Sequence, residues 1–204
     1  MGMMSDLELL RKELVQASHF FYHRGWSLAT SSNFSARVDA DRILITASGK
    51  DKGALCEQDV ILVDRKGRVL NTQQGKPSAE TSLHCHLYAF DPEIGSVLHT
   101  HSVHSTILSM GQSLVTLTGY EMLKAFGNVD THHHAEIIPV VPNSQDMEEV
   151  WRSLPRSLAS ARAFLIAGHG LYTWGRNIAE ARRHVEAFEF LFECEYRKRA
   201  LPDA

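Results

Sequence analysis

Apolar residues recur along the first segment at Leu7, Leu10, Leu14, Ala17 and Phe21, and this spacing predicts an amphipathic helix ending near Gly25. Short strand-like runs follow, Phe34 to Val38 and Ile43 to Thr46, joined by the turn-rich Asp39-Ala40-Asp41-Arg42. Val60 to Val63 and Arg68 to Leu70 flank Lys66-Gly67 as a second candidate hairpin. A helix is expected over Ser78 to Phe90, with Pro77 just ahead of it, Ser78 as its cap and Asp91-Pro92 stopping it.

Ser96 to Thr100 reads as a buried strand, with a helix following from Val103. Ile137 to Val141 is strand-like despite Pro139, which predicts an edge position or an irregularity. Asp146 to Ala159 looks helical, with Pro155 as a kink or break. Ala163 to Ala167 is a short apolar strand running into Gly168-His169-Gly170, and Ile178 to Arg199 closes the chain as a long helix. There is no internal repeat, low-complexity tract or linker. Short strands mixed with helices predict one α/β domain around a single sheet, and the hairpins make that sheet substantially antiparallel.

Composition narrows the function classes. The 204 residues are 44% hydrophobic and 22% charged, ordinary for a globular chain. A net charge of −3 leaves no basic surplus for a nucleic-acid backbone, so no nucleic-acid partner is expected. Cys56, Cys85 and Cys194 are odd in number and widely spaced, which reads as a reducing cytoplasm rather than a disulfide framework. The N-terminus enters a charged helical pattern with no apolar signal region, and Gly2 lacks a myristoylation context because Asp6 stands where Ser or Thr is wanted. No apolar run is long enough to span a bilayer, so no membrane association is expected.

Candidate chemistry lies in the twelve histidines. On a strand, His99 and His101 are two apart and point to one side, so both imidazoles can converge on one ion. His169 sits between two glycines at the mouth of an apolar strand, where the backbone can turn sharply and approach a ligand. Three neutral imidazoles with an open fourth position suit a catalytic zinc, while manganese, iron or cobalt would accept the same donors. His132, His133 and His134 read as a solvated loop, His19, His23 and His184 as helix surface, and His84, His86 and His104 as surface residues or supports behind a ligand.

Three segments rich in glycine and small hydroxyl residues precede the His99-Thr100-His101 motif: Thr30-Ser31-Ser32-Asn33, Thr46-Ala47-Ser48-Gly49-Lys50 and Gly75-Lys76-Pro77-Ser78-Ala79-Glu80. Hydroxyls, an amide and unpaired backbone N–H groups together make an anion nest, which suggests a phosphorylated substrate.

These motifs taken in order, Ser-Asn-Phe-Ser, Thr-x-Ser-Gly, Lys-Pro-Ser-Ala-Glu, His-Thr-His and Gly-His-Gly, resemble the class II aldolase/adducin family over nearly the whole chain. Gly119-Tyr120-Glu121-Met122-Leu123-Lys124 and Gly168 to Gly175 are most similar to the dehydratases of that family. The resemblance implies a single three-layer α/β domain over residues 1–204, with a central, largely antiparallel sheet flanked by helices. It implies one zinc per subunit on His99, His101 and His169, and phosphate around Asn33, Ser48, Gly49 and Ser78. The acid/base carboxylate of the family's aldolases falls at Glu80; that of its dehydratases falls at Glu121, the candidate proton shuttle here. The implied activity is zinc-dependent dehydration of a small phosphorylated ketose, 5-methylthioribulose 1-phosphate, to 2,3-diketo-5-methylthiopentyl 1-phosphate in methionine salvage. A sugar-phosphate aldolase or pentose-phosphate 4-epimerase is the alternative, and a ring-shaped homotetramer is the implied assembly. An adducin-like interaction module would not need the three histidines, and a structural zinc site would want a fourth protein ligand.

Overall fold

Most of the helices form where an apolar stripe meets a capped end. In the computed structural model, which describes residues 5–70, 75–154, 158, 160–199 and 201, helix α1 (Asp6–His23) starts at a capping box between Ser5 and Glu8. Its buried face is Leu14, Ala17 and Phe21. Asn177 caps α5 (Ile178–Lys198) through a bond from the Glu180 N–H. Ser102 caps α3 (Val103–Ser109) through Ser105, and Asp146 caps α4 (Met147–Ser153) through Glu148. The remaining helix is α2 (Thr81–Phe90). Gly2, Pro155 and Ala159, which carried expectations from the sequence, lie outside the described residues; α4 itself ends just before Pro155.

The strands are β1 (Asn33–Arg37), β2 (Arg42–Thr46), β3 (Val60–Asp64), β4 (Ser96–Thr100), β5 (Leu114–Thr118), β6 (Ala135–Val141), β7 (Ala163–Ile166) and β8 (Gly170–Gly175). Among the described residues they form one eight-stranded sheet in the order β3-β2-β1-β4-β8-β7-β6-β5, antiparallel except for the β6–β7 pair. Helices α2 and α4 cover one face, where Leu83, Leu87 and Val150 pack on Ile45, Val97, Phe164 and Tyr172. Helices α1, α3 and α5 cover the other, where Phe21, Leu108, Val185 and Phe188 meet Phe34, Leu98 and Leu165. Burial of each such side chain contributes about 1.5–3 kcal/mol, and the result is the expected three-layer architecture.

Three local expectations are corrected. Helix α2 begins at Thr81, not Ser78, because residues 78–81 first make a turn in which Ser78 Oγ accepts the Glu80 N–H and the Ser78 carbonyl accepts the Thr81 N–H. Pro139 is not on an edge strand, since β6 lies between β5 and β7. Its missing donor costs nothing there, because the parallel ladder to β7 begins only at Val140. The turn at Lys66-Gly67 forms, with Gly67 at φ 76°, but the returning segment makes a single bridge, Val63 to Val69, rather than a strand.

Candidate active site

Cross-strand register creates the centre of the site. Asn33 of β1 pairs with His99 of β4, and His99 pairs with Tyr172 of β8. Directly opposed residues share a face of the sheet, so the three side chains form one row beneath α2. Val97 lies on that same face, in the core under α2.

His101 follows two residues later, its backbone N–H held by the Trp26 carbonyl at 2.8 Å. His169 arrives on the β7–β8 turn, and both flanking glycines are needed. Gly168 adopts a left-handed φ of 64°, while a Cβ on Gly170 would lie 2.1 Å from the Thr100 carbonyl oxygen. Helix α3 fastens this turn: Thr106 Oγ1 donates to the His169 carbonyl at 3.0 Å and Ser109 Oγ accepts the Gly168 N–H at 3.0 Å.

The three imidazoles converge. Their Nε2 atoms are separated by 2.7 Å (His99–His101), 3.1 Å (His101–His169) and 3.3 Å (His99–His169). Three nitrogens cannot all donate to one another at such distances, whereas tetrahedral ligands around zinc stand about 3.3 Å apart. His99 Nδ1 bonds the Leu171 carbonyl at 2.9 Å, which puts its proton there and leaves the Nε2 lone pair facing the cluster. Burial lowers the pKa of His99 to about 4, and burial with the neighbouring imidazoles lowers that of His101 to about 2. Both rings are neutral at pH 7, the state a metal requires. The donor set therefore fits a divalent ion, and these three residues could hold one.

Glu80 closes the group from the N-terminus of α2. Its oxygens lie 3.2 Å from His99 Nε2 and 3.3 Å from His169 Nε2, and one accepts from Asn33 Nδ2 at 2.7 Å and Tyr172 OH at 2.8 Å. Burial opposes its ionisation, but the imidazoles of His99 and His169 and the Asn33 amide outweigh it and hold the carboxyl well below the usual range. Behind Asn33 runs a buried chain. His84 Nε2 donates to Asn33 Oδ1 at 2.5 Å, Ser35 Oγ donates to His84 Nδ1 at 2.7 Å, and Tyr88 OH donates to Ser35 Oγ at 2.8 Å. Burial pushes His84 down to about 4, so it is a neutral relay that fixes which way the Asn33 amide points. The His99 ring is clamped by Tyr172, stacked at 4.0 Å, with Phe164 stacked behind Tyr172 at 4.8 Å.

A cavity of about 160 Å³ opens beside His101 and Glu80. The three hydroxyl-rich turns meet in its wall, and Asn33, Ser48, Gly49 and Ser78 all line it. Ala29, Thr30 and Ser32 hold positive φ values of 53°, 61° and 71°, uncommon for residues with a Cβ.

Glu121 is not brought to the histidines within the chain. It opens the 3-10 turn Glu121–Phe126, where its side chain is 73% exposed and pairs with Lys124 at 2.6 Å. It borders an apolar groove of about 540 Å³ with Met122, Ala125, Phe190 and Cys194.

Among the other histidines, His184 is buried rather than on a helix surface, with Nδ1 on the Trp174 carbonyl at 2.7 Å. His86 stacks on Trp151 and meets Glu148 at 2.6 Å. Sequence reasoning did not single out Tyr172 for the site. Tyr172 lies in a strand buried on both faces, which shows no alternation.

Residues 12–196 match the model of the class II aldolase and adducin N-terminal domain. The chain is 50% identical to a methylthioribulose-1-phosphate dehydratase of Marinobacter nauticus, covering 90% of this chain and 91% of that protein. It is 48% identical to one from Pseudomonas aeruginosa, over 96% and 97%. The structure of an L-fuculose-1-phosphate aldolase from Thermus thermophilus superposes with a TM-score of 0.78 at 24% identity, covering 95% and 97%, and shares the fold.

Proposed function

The chain belongs to the class II aldolase and adducin family, and from that premise we propose that it is a hydro-lyase dehydrating 5-methylthioribulose 1-phosphate to 2,3-diketo-5-methylthiopentyl 1-phosphate, with zinc on His99, His101 and His169. The observation that carries this reading is the convergence of three imidazoles beside an ionised carboxylate and a hydroxyl-lined cavity.

When bound, the ion supplies Lewis acidity to the substrate's C2 ketone and so acidifies the C3 proton. The chain's own groups do the rest. The cavity formed by Asn33, Ser48, Gly49 and Ser78 receives the phosphate and fixes the distance from C1 to the histidines. A carboxylate takes the C3 proton, the C4 hydroxyl leaves as water with a proton delivered to it, and the enol so formed becomes the diketone. Glu121 is the proposed shuttle. Its exposure beside an apolar groove supports its working in the site of a neighbouring copy, within a homotetramer. Glu80, held by Asn33 and Tyr172, keeps a fixed negative charge next to the imidazoles. The reading places the enzyme in the cytoplasm, in keeping with three free cysteines; no helix among the described residues is long and apolar enough to cross a membrane.

The test is turnover of zinc-loaded protein on 5-methylthioribulose 1-phosphate, followed by mass. Loss of one water, abolished by Glu121→Gln with zinc retained, is expected. Mixing Glu121→Gln with His99→Ala protein should restore activity if Glu121 serves a neighbour's site; no restoration places it elsewhere. Because Glu80 is the carboxylate among the histidines, a second reading is a sugar-phosphate aldolase or pentose-phosphate 4-epimerase. Cleavage into two fragments, lost in Glu80→Gln, would establish the aldolase.

A further inference from the structure

Lys52 is 1% exposed, among the largest fully buried side chains of the protein. Its Nζ donates to the Lys50 carbonyl at 2.9 Å and the Thr30 carbonyl at 3.3 Å. Its own carbonyl accepts from Ser18 Oγ of α1 at 2.9 Å, so the residue is pinned from both ends. Buried ammonium groups are costly and are normally matched by a carboxylate. The acids near Lys52 are engaged elsewhere: Asp51 accepts the Gly53 N–H at 2.8 Å, and Asp59 is paired to Lys50 Nζ at 2.7 Å. Among the described residues no carboxylate makes an ion pair with Lys52, which leaves a buried positive charge lacking its counter-ion.

The place of that charge is informative. Its two carbonyl partners belong to two of the three turns that form the cavity wall: Thr30 lines the cavity, and Lys50 follows Gly49, which also lines it. Among the described residues no lysine or arginine lines the cavity itself, and the ionisable lining is Glu80, which is anionic, and His101, which is neutral. Apart from the metal proposed on His101, a phosphate dianion entering there meets hydroxyls and a negative carboxylate, but no cationic side chain among the described residues at the surface.

We infer that Lys52 is the buried counter-charge of the substrate's phosphate, a positioning residue that clamps the two turns from beneath and supplies the positive potential their neutral lining lacks. The inference rests on the phosphate reading of the cavity proposed above. It accounts for both the missing counter-ion and the choice of a lysine where any apolar stem would fill the volume. Burial lowers the Lys52 pKa to about 8, so its charge, and with it the phosphate affinity, fades in mildly alkaline solution.

The experiment measures inorganic phosphate as a competitive inhibitor of the zinc-loaded, full-length enzyme, in wild type, Lys52→Met and Lys52→Arg. In Lys52→Met, the phosphate inhibition constant and the substrate KM should each rise tenfold or more while kcat and zinc content change little; Lys52→Arg should recover most of the loss. Equal phosphate affinity in wild type and a folded Lys52→Met overturns the inference and leaves the phosphate cavity standing. Absence of phosphate inhibition in the wild type itself would instead remove the phosphate reading. Should Lys52→Met fail to fold, the wild-type inhibition constant between pH 7.5 and 9.5 decides. The charged groups facing Lys52 are Asp51, Asp59 and Lys50; Asp59, held low, Lys50, held high by Asp59, and the neutral His101 keep one state over that range. A weakening of about tenfold is expected, and a flat profile overturns the inference.

Discussion

Glu189 of α5 is wholly buried behind β4, on the opposite face of the sheet from the imidazoles. Its Oε1 accepts from Thr100 Oγ1 at 3.1 Å, and its Oε2 has no hydrogen-bond partner among the described residues. Burial raises its pKa from 4.5 to about 7. A carboxyl whose folded pKa lies above its unfolded value binds its proton more tightly when folded, so stability falls as pH rises through the window from 4.5 to 7. At one unit per 1.36 kcal/mol the full penalty is about 3 kcal/mol, reached above pH 7. Glu189→Gln keeps the shape and an oxygen for Thr100 but never ionises. Between pH 5.5 and 8.5 the variant should gain about 2 kcal/mol relative to wild type, the part of the penalty that develops in that interval. The assay is urea unfolding of chelated protein at both pH values and one protein concentration. Histidines that titrate in the same range are common to both proteins and cancel in the difference. Parallel stability curves, or a difference that narrows with rising pH, would refute the assignment of Glu189 as a carboxyl kept protonated by its surroundings.

Other perturbations have equally direct outcomes. His169→Ala removes one of three converging nitrogens, and zinc measured by mass spectrometry should fall from one per chain to below a tenth, with turnover lost. Tyr172→Phe keeps the stack on His99 but deletes a bond to a charged acceptor worth about 1.5–3 kcal/mol, so turnover should fall roughly ten- to a hundredfold with zinc retained; an unchanged rate would mean that Glu80 needs no such fixing. Gly170→Ala puts a Cβ 2.1 Å from the Thr100 oxygen and should cost about 1–3 kcal/mol in urea unfolding together with most of the bound zinc.

Much of this was legible in the sequence because it follows local rules. Helical periodicity located α1 and α5 within two residues, and the His-x-His and Gly-His-Gly spacings located the donors that converge. What was not legible depends on contacts between distant segments. Strand β8 is buried along its whole length, so Tyr172 carried no alternating pattern. Glu80 stands among the histidines only because α2 starts late, and that late start is set by the Ser78 turn and the Ala47–Pro77 bridge. His84 read as a residue of a helix face; only the fold shows that the face is fully buried and points at Asn33.

The row of Asn33, His99 and Tyr172 ties the histidine cluster to the hydrogen-bond register of three neighbouring strands. Slipping any of these strands by one residue would turn its member of the row to the opposite helix layer. The segment bearing Glu121, by contrast, stands outside that ladder on an exposed 3-10 turn. The molecule is thereby divided into a part that cannot be edited piecemeal and a part that can. New chemistry in such a scaffold is most accessible by exchange of the outlying carboxylate segment, since that exchange leaves the histidine cluster and the hydroxyl-lined cavity intact. Insertions within β1, β4 or β8 have no such route, and natural length variation should concentrate in the connections between strands.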